Sequence, residues 1–175
     1  MRATRVLMAL AGLACLWATT AAGRAEETRL GDLDQKFVKG ATSGGKYEVK
    51  SSELAADRAG DDAAKKFAKH MIDDHTRANK ELTDLLDKKK VAPPKDMREQ
   101  DRANVEKLGK LKGTDFDREY WAQQLAAHKE AVALFEEEAK NGKDADLKAF
   151  AEKTLPTIRE HLKMAQEHAR SGADK

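Results

Sequence analysis

Cysteine is almost missing from this sequence. Of 175 residues only Cys15 is one, and it lies in an N-terminal stretch that reads as a leader. A chain without that leader has no thiol, which excludes disulfides, thiolate metal ligands and thiol catalysis. Aromatic residues are scarce at 5%, while charged residues reach 37%, a balance that suits long solvated helices with a narrow apolar seam. Strand-like alternation and internal repeats are absent. So are a GxGxxG turn, a P-loop, a CxxC pair and a nucleophile elbow. No nucleophile–base pair emerges, so the reading leans against an enzyme. Basic and acidic residues are interspersed rather than segregated, which points away from nucleic acid and from an anionic membrane surface. No segment after the leader approaches the length and apolarity of a membrane span.

Residues 1–25 have the form of a secretory signal peptide. Arg2 and Arg5 precede the apolar run Val6 to Trp17, and the small residues Ala18 to Ala22 follow. Cleavage after Ala22 or Ala25 fits the small-residue rule, and a periplasmic location is expected. A lipid anchor at Cys15 is the minor alternative, because Gly12-Leu13-Ala14 fits the usual leucine-first box poorly. Loss of Arg2, Arg5 and Arg24 turns the formal net charge from +2 to −1.

The remainder, residues 30–170, reads as one all-α domain of four long helices. The first spans 29–58, with Leu30, Leu33, Phe37, Ala41, Val49, Ser52, Ala55 and Ala59 at helical spacing. Thr42-Ser43-Gly44-Gly45 is a weak helix former within it. Gly60-Asp61 supplies a stop and an N-cap. The second helix runs over 61–90 and ends in Lys88-Lys89-Lys90, a solvated end suited to the helix dipole; Pro93-Pro94 stops it. A connection over 91–114 contains a short helix within 96–111. The third helix starts near Thr114 and stops at Asn141-Gly142. The fourth spans Asp144 to Ala169 and is expected to kink at Pro156. Four amphipathic helices of this length predict a four-helix bundle.

Each helix carries a polar group on its apolar stripe. Glu48 is near the centre of the first and His75 in the middle of the second, between Met71 and Ala78. His128 is central in the third, and His161 lies within about 40° of the centre of the fourth, at about 100° per residue. A carboxylate on such a face must be paired, hydrogen-bonded or protonated. Counting about 1.5 Å of rise per residue from the turns puts all four near mid-bundle. Three imidazoles and one carboxylate match a zinc-type set. Met71 and Met164, each about a turn from a histidine, would suit copper, with core filling as their ordinary role. Asp74 and Gln124 are candidates to orient the site's imidazoles. His70 faces water, and His168 suits a dipole-stabilised helix end.

Four segments carry a resemblance to a known family. They are Phe67-Ala-Lys-His-Met-Ile-Asp-Asp-His75, Gly113-Thr-Asp-Phe-Asp-Arg-Glu-Tyr120 with His128, Thr154-Leu-Pro-Thr-Ile-Arg-Glu-His161, and Gly44-Gly45-x-x-Glu48. Together they span about residues 30 to 170, and the chain resembles the exported, ferritin-like bacterial domain of unknown function 4142. The resemblance implies a ferritin-like bundle whose second and third long helices are parallel, joined by a long, partly helical crossover. It implies no activity. The outer-membrane label often given to this family finds no support in the strand-free pattern. Di-iron members of the wider group carry Glu-x-x-His on two helices. Here Ile72 and Ile158 stand three residues before His75 and His161, which argues against di-iron chemistry. The expected protein is an exported helical bundle with a mid-bundle metal or small-ligand site, zinc or copper being the candidate ions. The alternative is a structural or stress-related interaction protein whose core His and Glu groups form a buried polar network.

Overall fold

Five helices form in the order α1 (Asp32–Arg58), α2 (Asp62–Lys88), α3 (Glu99–Gly109), α4 (Gly113–Asn141) and α5 (Ala145–Ala173). They come from a computed structural model that describes residues 30–173, with side chains described to residue 169. The expected leader at 1–25 lies outside the described residues. Among those residues there is no strand, and no helix is long and apolar enough to cross a membrane.

The four long helices form a ferritin-like bundle, and α3 lies within the crossover between α2 and α4. Asp61 caps α2 by accepting the Ala63 N–H at 3.0 Å. Asp117, in the first turns of α4, accepts the N–H groups of Gly60 and Asp61 at 3.0 Å each. The Trp121 indole donates to Asp61 at 3.3 Å. The start of α4 is therefore fastened to the α1–α2 turn. At the other end Lys89 reaches Asp144 at 2.8 Å and Asp146 at 2.6 Å, tying the end of α2 to the start of α5. So α2 and α4 run parallel, and the intervening segment crosses the length of the bundle. Lys89 departs from the solvated helix end expected of it: its side chain is largely buried in this ion pair.

Two sequence irregularities are absorbed. Thr42-Ser43-Gly44-Gly45 stays helical inside α1, because it is packed rather than exposed: Thr42, Ser43 and Gly45 are buried. A Cβ at Gly45 would lie 1.8 Å from Asn79 Oδ1, so glycine permits the close α1–α2 approach. The Ser43 hydroxyl donates to Asp101 at 2.5 Å and accepts the Arg98 N–H at 2.6 Å, which seats α3 on α1. Pro156 interrupts the hydrogen-bond ladder of α5 but not the helix, which continues as one element to Ala173.

The core is divided along its length. One apolar cluster gathers Phe37, Leu82, Leu86, Phe135, Phe150 and Ile158. The other gathers Phe67, Met71, Leu108, Phe116, Tyr120 and Trp121. Between them lies a polar layer that contains Glu48, Ser51, Gln124, His128 and His161.

Candidate metal centre

Three histidines meet in this layer, one each from α2, α4 and α5. Their helices differ in direction, but each places its histidine near mid-length, so the side chains converge. The rings of His75, His128 and His161 lie 5.4 to 5.8 Å apart, centroid to centroid. One ring nitrogen from each falls within 4.8 Å of the other two.

Hydrogen bonding assigns the ring nitrogens. His128 Nδ1 lies 2.9 Å from the Gln124 carbonyl oxygen, which can only accept, so Nδ1 carries the proton and donates. His161 Nε2 donates likewise to Asp74 Oδ2 at 3.1 Å, and Asp74 is itself held by Arg77. That leaves His128 Nε2 and His161 Nδ1 as lone-pair nitrogens. Both are buried without a hydrogen-bond partner, and so is His75 Nε2. Buried ring nitrogens without a protein partner are expensive, since each forfeits its bonds to water.

Burial keeps these rings neutral. Desolvation drives His75 well below the ordinary imidazole range, with His128 and His161 adding to the effect. Desolvation lowers His128 to about 4, against the opposing bond to Gln124. It lowers His161 too, with Asp74 opposing. A neutral imidazole with one nitrogen donating to an oxygen and the other free is the form that ligates metals.

Glu48, expected as the fourth donor, stands beside the triad rather than among its converging nitrogens. Gln124 Nε2 donates to Glu48 Oε2 at 2.7 Å and approaches Ser51 Oγ at 3.3 Å. Glu48 Oε1 is 3.7 Å from His128 Nδ1, whose proton already goes to the Gln124 carbonyl. Burial pushes the Glu48 carboxyl up to about 8, with the Gln124 bond opposing and Asp101 reinforcing, so it is neutral at pH 7. Gln124 thus supports the site through both its side chain and its carbonyl. Asp74 orients His161. Met71 packs fully buried in the aromatic cluster, and Met164 packs against the same cluster. His70 is exposed, as expected. His168 stacks on Trp121 with centroids 3.9 Å apart and lies 3.5 Å from Asp61.

Sequence reasoning missed Ser51, Tyr47 and a buried acid pair. Tyr47 donates to Gln123 at 3.0 Å and lies next to Glu48 in α1. Asp34 and Glu138 are both buried at the far end of the bundle. The signal for both was present: each falls on an apolar stripe, Asp34 three residues before Phe37 and Glu138 three after Phe135.

A family profile described as a domain of unknown function (DUF4142) matches residues 19–167. No curated protein matches the sequence. Several solved structures share the fold. A DUF305 fragment from Deinococcus radiodurans is 14% identical with a TM-score of 0.69, over 79% of this chain and 95% of that one. A DUF305 protein from Streptomyces coelicolor is 17% identical with a TM-score of 0.67, over 80% and 92%. CopM in a Cu(I)-bound form is 20% identical with a TM-score of 0.67, over 79% and 96%.

Proposed function

The chain belongs to the DUF4142 family, whose description assigns no activity, and we propose that it binds a single transition-metal ion on His75, His128 and His161. The observation that supports this reading is the set of three buried, unpartnered imidazole nitrogens facing one another. Ligands held at about 2.0–2.1 Å from one tetrahedral ion sit about 3.3 Å apart. From separations within 4.8 Å, small ring rotations would close the set. The ion would satisfy all three unpartnered nitrogens at once, with His75 taking the tautomer that leaves its Nε2 free. Asp74 and the Gln124 carbonyl would hold two of the rings in the ligating tautomer, and Glu48 would supply a nearby carboxyl that is neutral until a cation arrives.

Imidazole ligands suit copper and zinc, and the general order of divalent affinities places copper above zinc. The structural relative CopM was solved with copper and with silver bound, which favours copper as the first ion to test. The leader-like N-terminus supports an exported protein that meets this metal outside the cytoplasm.

The test is metal titration of the purified, chelator-stripped protein followed by calorimetry. One equivalent of Cu(II) should bind, more tightly than Zn(II). His75→Ala, His128→Ala and His161→Ala should each weaken it by at least a hundredfold. Failure of the wild type to bind either ion, or alanine variants that bind as well, would refute the reading and favour a purely structural polar network.

A further inference from the structure

Beside the triad the bundle encloses a cavity of about 270 Å³. Its walls are mostly apolar, formed by Leu82, Leu134, Phe135, Phe150 and Ile158, and its inner end is lined by Glu48 and His75. The exposed residues Gln100 and Glu130 also line it, so it reaches the surface between α1, α3 and α4. A well-packed core contains few voids larger than a water molecule. Here the chain holds one open with small residues. Gly44 lines the cavity, and a Cβ added there would meet nothing within 4 Å. Ala127 and Ala131 line it from α4.

We propose that this cavity is a binding site for a compact, largely apolar molecule of one or two rings that carries no negative charge. An apolar cavity of about 150 Å³ accepts benzene, so this one has room for a fused two-ring molecule. The charge of the ligand follows from the mouth. Among the described residues Arg98 is the one cation lining the cavity, and it is committed to both Asp101 and Glu130. One of the two carboxylates is left uncompensated. An anion entering there would lose its hydration and gain no free cation. His75 and Glu48 offer hydrogen bonds to a polar edge of the ligand at the inner end. The proposal concerns the metal-free chain and is tested there, so its failure and that of the metal reading are separate results.

Indole and indole-3-carboxylate, titrated into the chelator-stripped protein, provide the test by calorimetry and amide chemical shifts. Indole should bind saturably at one site and shift the Gly40, Gly44 and Gly45 amides. Indole-3-carboxylate should bind at least tenfold more weakly. Gly44→Leu, which fills the cavity from α1, should reduce indole affinity at least tenfold without lowering Tm. Ala127→Leu, which fills it from α4, serves as a second variant should the first fold poorly. Absence of saturable indole binding would overturn the proposal. So would equal binding of the anion, or unchanged affinity in a folded cavity-filled variant.

Discussion

At the scale of single residues, the groups that matter are buried polar side chains whose partners explain them. Asp74 is half-buried, yet it sets the tautomer of His161 across the helix interface. Orienting groups of this kind commonly affect metal affinity by about 10–100-fold. Asp74→Asn keeps the shape but can present its amide to Nε2 and favour the wrong tautomer. It should weaken copper binding within that range while leaving the bound stoichiometry at one, as read by competition with a chromophoric chelator. Unaltered affinity would show that Asp74 serves only its ion pair with Arg77. Glu138 makes a separate prediction. Burial first, and the Asp34 carboxylate second, push its carboxyl up from 4.5 to about 7. Asp34 itself stays ionised: burial alone would raise it, but the N–H groups of Lys143 and Asp144 hold it below its ordinary range. A raised acid binds a proton in the folded chain that the unfolded chain has released. Its contribution is therefore complete below about pH 4.5 and is lost as pH rises through about 7. Glu138→Gln cannot ionise, so it should be the more stable form at pH 8, by roughly 2 kcal/mol, with the gap closing towards pH 5. Urea unfolding at the two pH values measures this, and parallel curves would contradict it.

At the scale of elements, the turns and contact points set where each helix begins and how near it comes to its neighbour. Gly142 ends α4 and donates its N–H to the Glu138 carbonyl at 2.9 Å. A Cβ there would stand 2.6 Å from that same carbonyl oxygen and 2.5 Å from Glu138 Oε1. The backbone cannot withdraw without breaking the bond that closes the helix. Gly142→Ala should therefore destabilise the protein by about 1–3 kcal/mol, a lower urea midpoint with little change in slope. A neutral or stabilising result would mean that the α4–α5 turn relaxes freely. The short α3 is held differently, by Ser43, Asp101 and Arg98 rather than by a broad apolar face. That polar seam also forms the mouth of the cavity.

At the scale of the whole molecule, a polar layer between two apolar clusters makes the bundle dependent on what fills that layer. Three imidazole nitrogens at the centre of the fold have no hydrogen-bond partner in the protein. An ion that binds only the folded chain stabilises it by mass action, about 2.7 kcal/mol at a hundredfold excess over Kd. For a domain of this size each kcal/mol is worth about 2–4 °C in Tm. Copper should thus raise Tm by about 5–10 °C, and the shift should vanish in His128→Ala. A wild-type Tm indifferent to copper and zinc would oppose the metal reading at this scale as well.

What the sequence determined by itself is what local chemistry encodes. Apolar spacing marks four long helices, and Gly60-Asp61 and Asn141-Gly142 mark two of their ends. The same spacing singles out Glu48, His75, His128 and His161 as polar intruders on apolar stripes. A stripe reports which face a residue occupies, to within about half a turn. It does not report what that residue touches across the interface, because the contact depends on helix rotation, interaxial distance and stagger, which only packing sets. Tertiary structure therefore decided that three imidazoles converge while Glu48 turns to Gln124, and that Asp74 serves His161 rather than its neighbour His75. It also kept Thr42-Ser43-Gly44-Gly45 helical against its propensity, since the closeness glycine allows is realised only when α2 lies against it. The cavity beside His75 is the furthest from the sequence: a void is made by residues from all five helices and belongs to none of them.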